Sequence, residues 1–154
     1  MALLELQPIA ESEFAAFLEA TLPSYSSARA VADHVTLAAA EPVARAQQAR
    51  LLFDGFHTPG HRFYWIRCEG SSVGSLWLSF DPEAGEAYIY DIVIFEGQRR
   101  RGYASEALRT AEEIARTEGC QRIGLNVFAP NEIAQALYRR LGYAVASLYM
   151  NKPL

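Results

Sequence analysis

The segment "FEGQRRRGYASEAL" (residues 95–108) decides the fold, because it joins an apolar stretch to an amphipathic one. The preceding residues, "YIYDIVIF" (88–95), are almost continuously apolar, which is typical of a central strand covered on both faces. After Gly102, apolar side chains recur at helical spacing over residues 104–115, and Gly119 is placed to end that helix. The segment therefore predicts a buried strand, a loop that contains glycine, and a helix.

The start of this helix is suited to an anion. A strand that enters a helix through such a loop leaves unpaired backbone N–H groups at the positive end of the helix dipole. Gly102 lacks the Cβ that would block close approach of an anion to the backbone, and Ala104 places only a small side chain in the next turn. Arg99, Arg100 and Arg101 add positive charge around the loop. We predict that the loop binds a phosphate or a diphosphate.

Two well-known phosphate loops do not fit this segment. Four residues separate Gly97 from Gly102, as in the Walker A motif, but Tyr103 and Ala104 stand where that motif needs lysine and serine or threonine. The G-x-G-x-x-G pattern of dinucleotide-binding folds is also missing. Both alternatives are excluded.

Composition narrows the class of protein. The 154 residues are 51% hydrophobic and 21% charged, which fits one globular domain over residues 1–154. A net charge of −4 means that the surface as a whole would repel nucleic acid and anionic lipid. Cys68 and Cys120 lack the spacing of metal ligands, and no apolar run approaches the roughly 20 residues of a membrane span. With no export signal recognised, we expect a cytoplasmic protein without metal, membrane or nucleic-acid partners.

The rest of the chain alternates between strand and helix patterns. We predict further strands over residues 3–9, 63–68, 73–80, 122–128 and 143–152, and helices that begin near Ser12, Glu41 and Asn131. Pro23 and the serines after it are expected to interrupt the first of these helices. The resulting order is β, α, α, β, β, β, α, β, α, β. We therefore expect an α/β fold with a mixed central sheet flanked by helices.

Two segments resemble the signature motifs of the GCN5-related N-acetyltransferase (GNAT) family. Arg99-x-x-Gly102-x-Ala104 matches the family's Arg/Gln-x-x-Gly-x-Gly/Ala loop, and "NVFAPNEIAQALYRRLGY" (126–143) is similar to its Leu-Tyr-x-x-Leu-Gly-Phe/Tyr segment. The order of elements also agrees, so the resemblance covers nearly the whole chain. It implies the single-domain acyl-CoA N-acyltransferase fold. It also implies transfer of an acetyl group from acetyl-CoA to a primary amine, by direct attack in a ternary complex.

The resemblance also implies which residues contact acetyl-CoA. They are central-strand residues for the pantetheine arm (Ile92, Val93, Ile94), loop residues for the pyrophosphate (Arg99, Arg100, Arg101, Gly102, Tyr103, Ala104, Ser105), and two residues on the other side of the cofactor (Asn126, Asn131). Asn131 is equally suited to capping the helix that follows it.

Two residues are the candidates for proton transfer. The resemblance implies that Tyr138 is a general acid near the thioester sulfur, although a tyrosine is a weaker acid than a thiol by roughly 1.5 pKa units, so its help should be modest. Asp91 is the candidate base, because an unpaired carboxylate within an apolar strand is expensive to bury. A lysine-like amine has a pKa of about 10.4 and needs such a base at pH 7. Glu86, His57 and His61 are weaker candidates.

Structural alternatives stand beside these roles. Asp91 is as well explained as a hydrogen-bonded structural carboxylate, and Tyr138 also fits a packed helix face. An aromatic wall for the acceptor is expected from Tyr88, Tyr90, Trp65 and Trp77. The alternative function is a catalytically inactive, CoA-binding regulatory module of the same fold. The sequence leaves open which small-molecule amine or peptide is the acceptor, and whether the chain forms a homodimer.

Overall fold

The computed structural model describes residues 3–154, which divide into two compact units. The first comprises residues 3–17 and Asp54–Asn126 and is called the sheet unit below. The second comprises Leu18–Phe53 and Val127–Leu154 and is called the helical unit. The helices of the chain are α1 (Phe14–Ala32), α2 (Leu37–Leu51), α3 (Tyr103–Thr117) and α4 (Glu132–Arg140).

A five-stranded mixed sheet forms the centre of the sheet unit. Its strands are β1 (Leu4–Pro8), β2 (His61–Cys68), β3 (Ser71–Asp81), β4 (Glu86–Ile94) and β5 (Arg122–Leu125), and they lie side by side in that order. The pairs from β1 to β4 are antiparallel, whereas β4 and β5 are parallel. A parallel pair needs a crossover connection, and α3 supplies it. The predicted mixed α/β fold is confirmed.

One face of the sheet is aliphatic and lies against α3. Ile66, Leu76 and Leu78 are fully buried on this face. The inner stripe of α3, which includes Leu108 and Ala111, is fully buried as well. Because these apolar positions recur at helical spacing, burying them fixes which side of α3 meets the sheet.

The opposite face carries rings and is called the aromatic face below. It is formed by His61, Phe63 and Trp65 of β2, Trp77 of β3, and Tyr88 and Tyr90 of β4. Phe14 and Phe17, at the start of α1, pack edge-on against Phe63 with ring centroids 5.0 and 5.5 Å apart. Such edge-to-face pairs fix ring orientation in addition to burying apolar area.

The N-terminal helices differ from the prediction in their boundaries. Pro23 does not interrupt the first helix, because α1 continues through it to Ala32. A proline removes one hydrogen bond to the carbonyl four residues before it, here that of Glu19, and both residues are exposed, so water can replace the bond. The second helix begins before Glu41, since Thr36 caps it by accepting from the Ala39 N–H at 3.2 Å.

Two further predictions, a helix cap at Ser12 and a strand over residues 143–152, were wrong. The chain enters α1 through a 3₁₀ turn, Glu11–Glu13, so Ser12 does not cap this helix. Residues 143–152 form no strand, although their side chains alternate as a strand requires. A strand needs a hydrogen-bonded neighbour, and the helical unit, as far as the structure describes it, contains none. Val145, Leu148, Tyr149 and Met150 are accordingly 64% to 88% exposed.

Among residues 3–154, no helix has both the length and the apolar character needed to cross a lipid bilayer. This agrees with the composition of the chain, in which charged residues interrupt every long segment.

Candidate active site

Strand β5 pairs with β4 only over the first half of β4. They pair only as far as Ile89 and Leu125, whereas β4 continues to Ile94 in contact with β3. The parting coincides with a bulge at Tyr90, which has no partner on β3, because Trp77 pairs with Asp91 and the next pair already involves Ile89. Bulges bend a strand and increase its twist. Within the described sheet unit, one side of β4 therefore has no strand beside it beyond the bulge.

Backbone groups on this open side belong to alternate residues. Phe95 donates its N–H to the Val73 carbonyl at 2.9 Å, so Phe95 and, two positions earlier, Val93 direct their backbone groups towards β3. Ile92 and Ile94 consequently direct theirs towards the opening, since the direction alternates along an antiparallel strand. Of the three strand residues predicted to bind the cofactor, Ile92 and Ile94 direct backbone groups to the opening, although the Ile94 carbonyl already accepts from Arg99, whereas those of Val93 are engaged by β3.

The loop after β4 folds back on the strand that precedes it. A 3₁₀ turn covers Glu96–Gln98, and the Arg99 Nε then donates to the Ile94 carbonyl at 3.0 Å. Arg100 and Gly102 both have left-handed backbone, with φ of 64° and 80°. Such turns direct successive N–H groups into a concave surface that is suited to an anion.

This loop leaves a run of N–H groups without a partner. The first hydrogen bond of α3 runs from the Glu106 N–H to the Gly102 carbonyl at 3.2 Å, so the amides of Tyr103, Ala104 and Ser105 precede the helical ladder. No described residue of the sheet unit accepts from them or from the amides of 100–102. A Cβ on Gly102 would meet no heavy atom within 4 Å. The glycine is needed for its positive φ, and the space in front of it is free for a ligand.

The guanidinium groups of this loop add to its positive charge. Arg100 and Arg101 are exposed and form no ion pair within residues 3–17 and 54–126. Together with the N-terminal end of α3 they make the loop locally positive, and anion binding by this loop stays a prediction. The chain is acidic as a whole, so this positive site is local.

Asp91 lies beyond the bulge, on the aromatic face. It is partly buried, and no described group of the sheet unit donates a hydrogen bond to its carboxylate or forms an ion pair with it. Burial raises the pKa of Asp91 from 3.8 to about 7. A carboxyl group that titrates near neutrality can accept a proton at pH 7 and release it again.

Two of the weaker base candidates are engaged in exposed ion pairs. The Glu86 carboxylate lies 3.2 Å from Arg122, and the His57 ring lies 3.0 Å from Glu11. Neither Glu86 nor His57 is buried, so neither is desolvated in the way that Asp91 is.

The third weaker candidate, His61, belongs to a ring cluster beside Asp91. Its Nδ1 accepts from the Trp77 Nε1–H at 3.0 Å, and burial lowers the pKa of the imidazole. Tyr90 stacks on both rings, with centroids 4.8 Å from Trp77 and 5.2 Å from His61, and lies 4.7 Å from Tyr88. The structure thus brings together three members of the predicted aromatic wall and adds His61, which keeps its neutral form in this environment.

A cleft of about 420 Å³ continues along the same face and includes residues that sequence reasoning missed. It is lined by Gln7, Glu13, Trp65, Arg67 and Phe95, among others. The Glu13 carboxylate accepts from the Ala10 N–H and from the Trp65 Nε1–H, and these two bonds lower its pKa. The cleft could have been predicted from the alternation in β2, which assigns the side chains of His61, Phe63, Trp65 and Arg67 to one face.

Of the remaining predicted site residues, Asn126 is the last residue of the sheet unit, and Asn131 and Tyr138 belong to the helical unit. Asn126 follows β5 directly. Asn131 caps α4, since its Oδ1 accepts from the Ala134 N–H at 3.2 Å, which confirms the capping alternative. Tyr138 is partly buried on α4, and its ring lies 5.7 Å from that of Tyr143.

Known proteins share both the sequence and the fold. The chain is 34% identical over 154 residues to the uncharacterised N-acetyltransferase YdgE of Bacillus subtilis and 32% identical over 152 residues to YycN of the same organism, with 97% of each chain covered. A crystal structure of YycN superimposes with a TM-score of 0.91 over 99% of both chains.

More distant structures share the fold. An aminoglycoside N-acetyltransferase in complex with CoA has a TM-score of 0.60 over 100% of this chain and 96% of its own, at 12% sequence identity. The model of the Acetyltransferase (GNAT) family matches residues 22–143, which is most of the chain. The opening beside β4, the anion loop after it and these matches lead to one conclusion: the chain belongs to the GNAT family of acetyltransferases.

Proposed function

We propose that the protein transfers the acetyl group of acetyl-CoA to a primary amine, by direct attack of the amine in a ternary complex. The observation that carries the proposal is the continuity between the open side of β4 and the loop amides of residues 100–105, which have no acceptor in the described sheet unit. The GNAT fold family uses acetyl-CoA, and its members act on small-molecule or peptide amines.

Acetyl-CoA fits the two parts of this surface. Its pantetheine arm contains amides that match the backbone groups of Ile92 and Ile94, in the way that an added strand matches a sheet edge. Its diphosphate matches the loop amides and the helix N-terminus. The proposed contacts are those expected from the family resemblance: Ile92, Val93, Ile94, Arg99, Arg100, Arg101, Gly102, Tyr103, Ala104, Ser105, Asn126 and Asn131.

Asp91 is proposed as the general base. With a pKa of 3.8 it would be a poor acceptor for the proton of an amine whose pKa is about 10.4, but at about 7 the mismatch is roughly halved. At 1.36 kcal/mol per pKa unit, burial makes this proton transfer easier by about 4 kcal/mol. Asp91 takes one proton from the ammonium group, the neutral nitrogen forms a bond to the acetyl carbon, and the bond from that carbon to sulfur breaks. The second proton lost by the nitrogen balances the one gained by the departing thiolate, so the products are the amide, the CoA thiol and one proton on Asp91.

Two further groups are proposed to assist. The N–H of Ile92, on the open side of β4, is suited to stabilising the negative oxygen that develops during attack. Tyr138 is proposed to donate a proton to the departing thiolate, a role taken from the family resemblance of its segment. Because a tyrosine is the weaker acid by roughly 1.5 pKa units, this donation contributes modestly.

Calorimetry with CoA, followed by a thiol-release assay with acetyl-CoA and a panel of amines, tests the proposal. We expect CoA to bind and thiol to be released only when an amine is present. Failure to bind CoA would refute the proposal. Binding without thiol release for any amine would favour the regulatory CoA-binding module instead.

A further inference from the structure

The aromatic face beside Asp91 presents ring surfaces whose two indole N–H groups are both engaged within the protein. The indole N–H of Trp77 is used by His61 at 3.0 Å, and that of Trp65 is used by Glu13 at 2.9 Å. The Nδ1 of His61 is occupied by the same contact with Trp77. Trp77 is only 5% exposed, so a ligand on this face meets mainly the partly exposed rings of Tyr90, His61 and Trp65. The indole N–H groups of Trp65 and Trp77 are already satisfied.

The charge beside Tyr90 is negative, whereas the cation of this face, Arg67, lies at the Trp65 end, where it donates to Ser72. Asp91 has no cationic partner in the described sheet unit, and the neighbouring His61 is held in its neutral form. An unpaired carboxylate at the edge of a low-dielectric cluster favours a cation. Tyr90 is partly exposed in the stack beside it, and the negative face of an aromatic ring also attracts a cation.

We propose that this surface is the acceptor subsite and that it selects a primary ammonium carried on an unbranched apolar stem, with Tyr90 as the residue that determines this specificity. The inference rests on the proposed acetyl transfer. The ammonium group lies between Asp91 and the ring of Tyr90, and the stem follows the aromatic face towards Trp65 and the 420 Å³ cleft. His61 and Trp77 are positioning residues, because their hydrogen bond holds the two rings on which Tyr90 stacks.

The same surface disfavours amines that carry several hydroxyl groups. A hydroxyl that leaves water needs a new partner, and the indole N–H groups that line this face are engaged. Sites of this kind discriminate by the number of polar groups left without a partner. An aminosugar should therefore be a poor acceptor compared with an arylalkyl amine of similar size.

Kinetics of the full chain with two amines test the selection. Phenethylamine is the apolar probe and glucosamine is the polyhydroxylated probe, with thiol release measured at saturating acetyl-CoA. We expect kcat/KM for phenethylamine to exceed that for glucosamine by about 100-fold. A value for glucosamine that equals or exceeds the value for phenethylamine would overturn the inference.

Variants of Tyr90 separate ring recognition from general packing. Tyr90→Phe keeps the ring, so KM for phenethylamine should stay within about twofold, whereas Tyr90→Leu should raise it about tenfold with a smaller change in kcat. CoA affinity should be the same in both variants. Tyr149→Leu, at a tyrosine that is 88% exposed, is the matched control and should change neither constant. A rise in KM for Tyr90→Phe as large as that for Tyr90→Leu would contradict the role of the ring.

A binding measurement covers the case in which Tyr90→Leu does not fold. In the wild-type complex with CoA, phenethylammonium should bind about tenfold more tightly than the neutral 2-phenylethanol. Equal affinities would overturn the inference even if both ligands bind. Loss of CoA binding would refute the proposed function itself, whereas thiol release with glucosamine and not with phenethylamine would refute only the acceptor subsite.

Discussion

Replacing Asp91 by asparagine should make the protein more stable and less active. Asparagine has nearly the same shape as a protonated aspartate but never ionises. The folded-state pKa of Asp91 is about 7 and the ordinary value is 3.8, so between these values the folded state holds the proton that the unfolded state has released. Stability of the wild type therefore falls as the pH rises through this window, because the unfolded state binds fewer protons than the folded state.

The size of the effect follows from the width of that window. At 1.36 kcal/mol per pKa unit, the wild type loses up to about 4 kcal/mol between pH 4 and pH 8 through this carboxyl group alone. Asp91→Asn avoids this loss. It should match the wild type near pH 4 and exceed it at pH 8 by up to about 4 kcal/mol, or on the order of 10 °C in Tm for a chain of this length.

Urea denaturation of both proteins from pH 4 to pH 8 measures this difference. Asp54→Asn is the matched control for the chemical change, because Asp54 is exposed and its side chain forms no capping bond. The thiol-release rate of Asp91→Asn should fall by at least about 100-fold at pH 7. A stability gain that is the same at pH 4 and pH 8, or a loss at pH 8, would refute the assignment of a desolvated carboxyl.

Three further substitutions test other parts of the site. Gly102→Ala should lower the free energy of unfolding by about 1 kcal/mol through its positive φ and weaken CoA binding at least tenfold. Gly70 has the same φ of 80° and open space around it, so Gly70→Ala should lower stability equally but leave CoA binding intact in calorimetry. Tyr138→Phe should lower kcat by no more than about tenfold in the thiol-release assay, and an inactive variant would make Tyr138 indispensable. Asn131→Ala should lower the free energy of unfolding by about 1 kcal/mol through loss of the cap, and Asn131→Asp should restore it in the same denaturation assay. Equal stability of the wild type and both variants would contradict the capping role.

The sequence predicted the parts of the fold that depend on local patterns. The strand before the loop and α3 after it follow from a continuous apolar run and a helical repeat, and both are where the sequence indicated. The sequence singled out Gly102 for its missing Cβ, whereas the structure shows that its left-handed backbone, with φ of 80°, is what requires glycine there. These features require no knowledge of distant contacts.

Features that depend on pairing between distant segments were not predictable. The bulge at Tyr90 and the end of β4–β5 pairing at Ile89 are set by the register with β3 and β5, which the sequence of β4 does not encode by itself. The contact between His61 and Trp77 depends on the same register. The strand predicted over 143–152 shows the converse, because a suitable pattern does not supply the partner that a strand needs.

The positions of the two tryptophans give the protein an intrinsic optical probe. The chain contains only Trp65 and Trp77, and both indoles lie on the aromatic face with their N–H groups held by Glu13 and His61. With excitation that selects indole over the eight tyrosines, emission therefore originates on the aromatic face. An amine that settles there changes the polarity and quenching around both fluorophores, so acceptor affinity can be titrated with the unlabelled, unmodified chain, separately from any measurement of turnover.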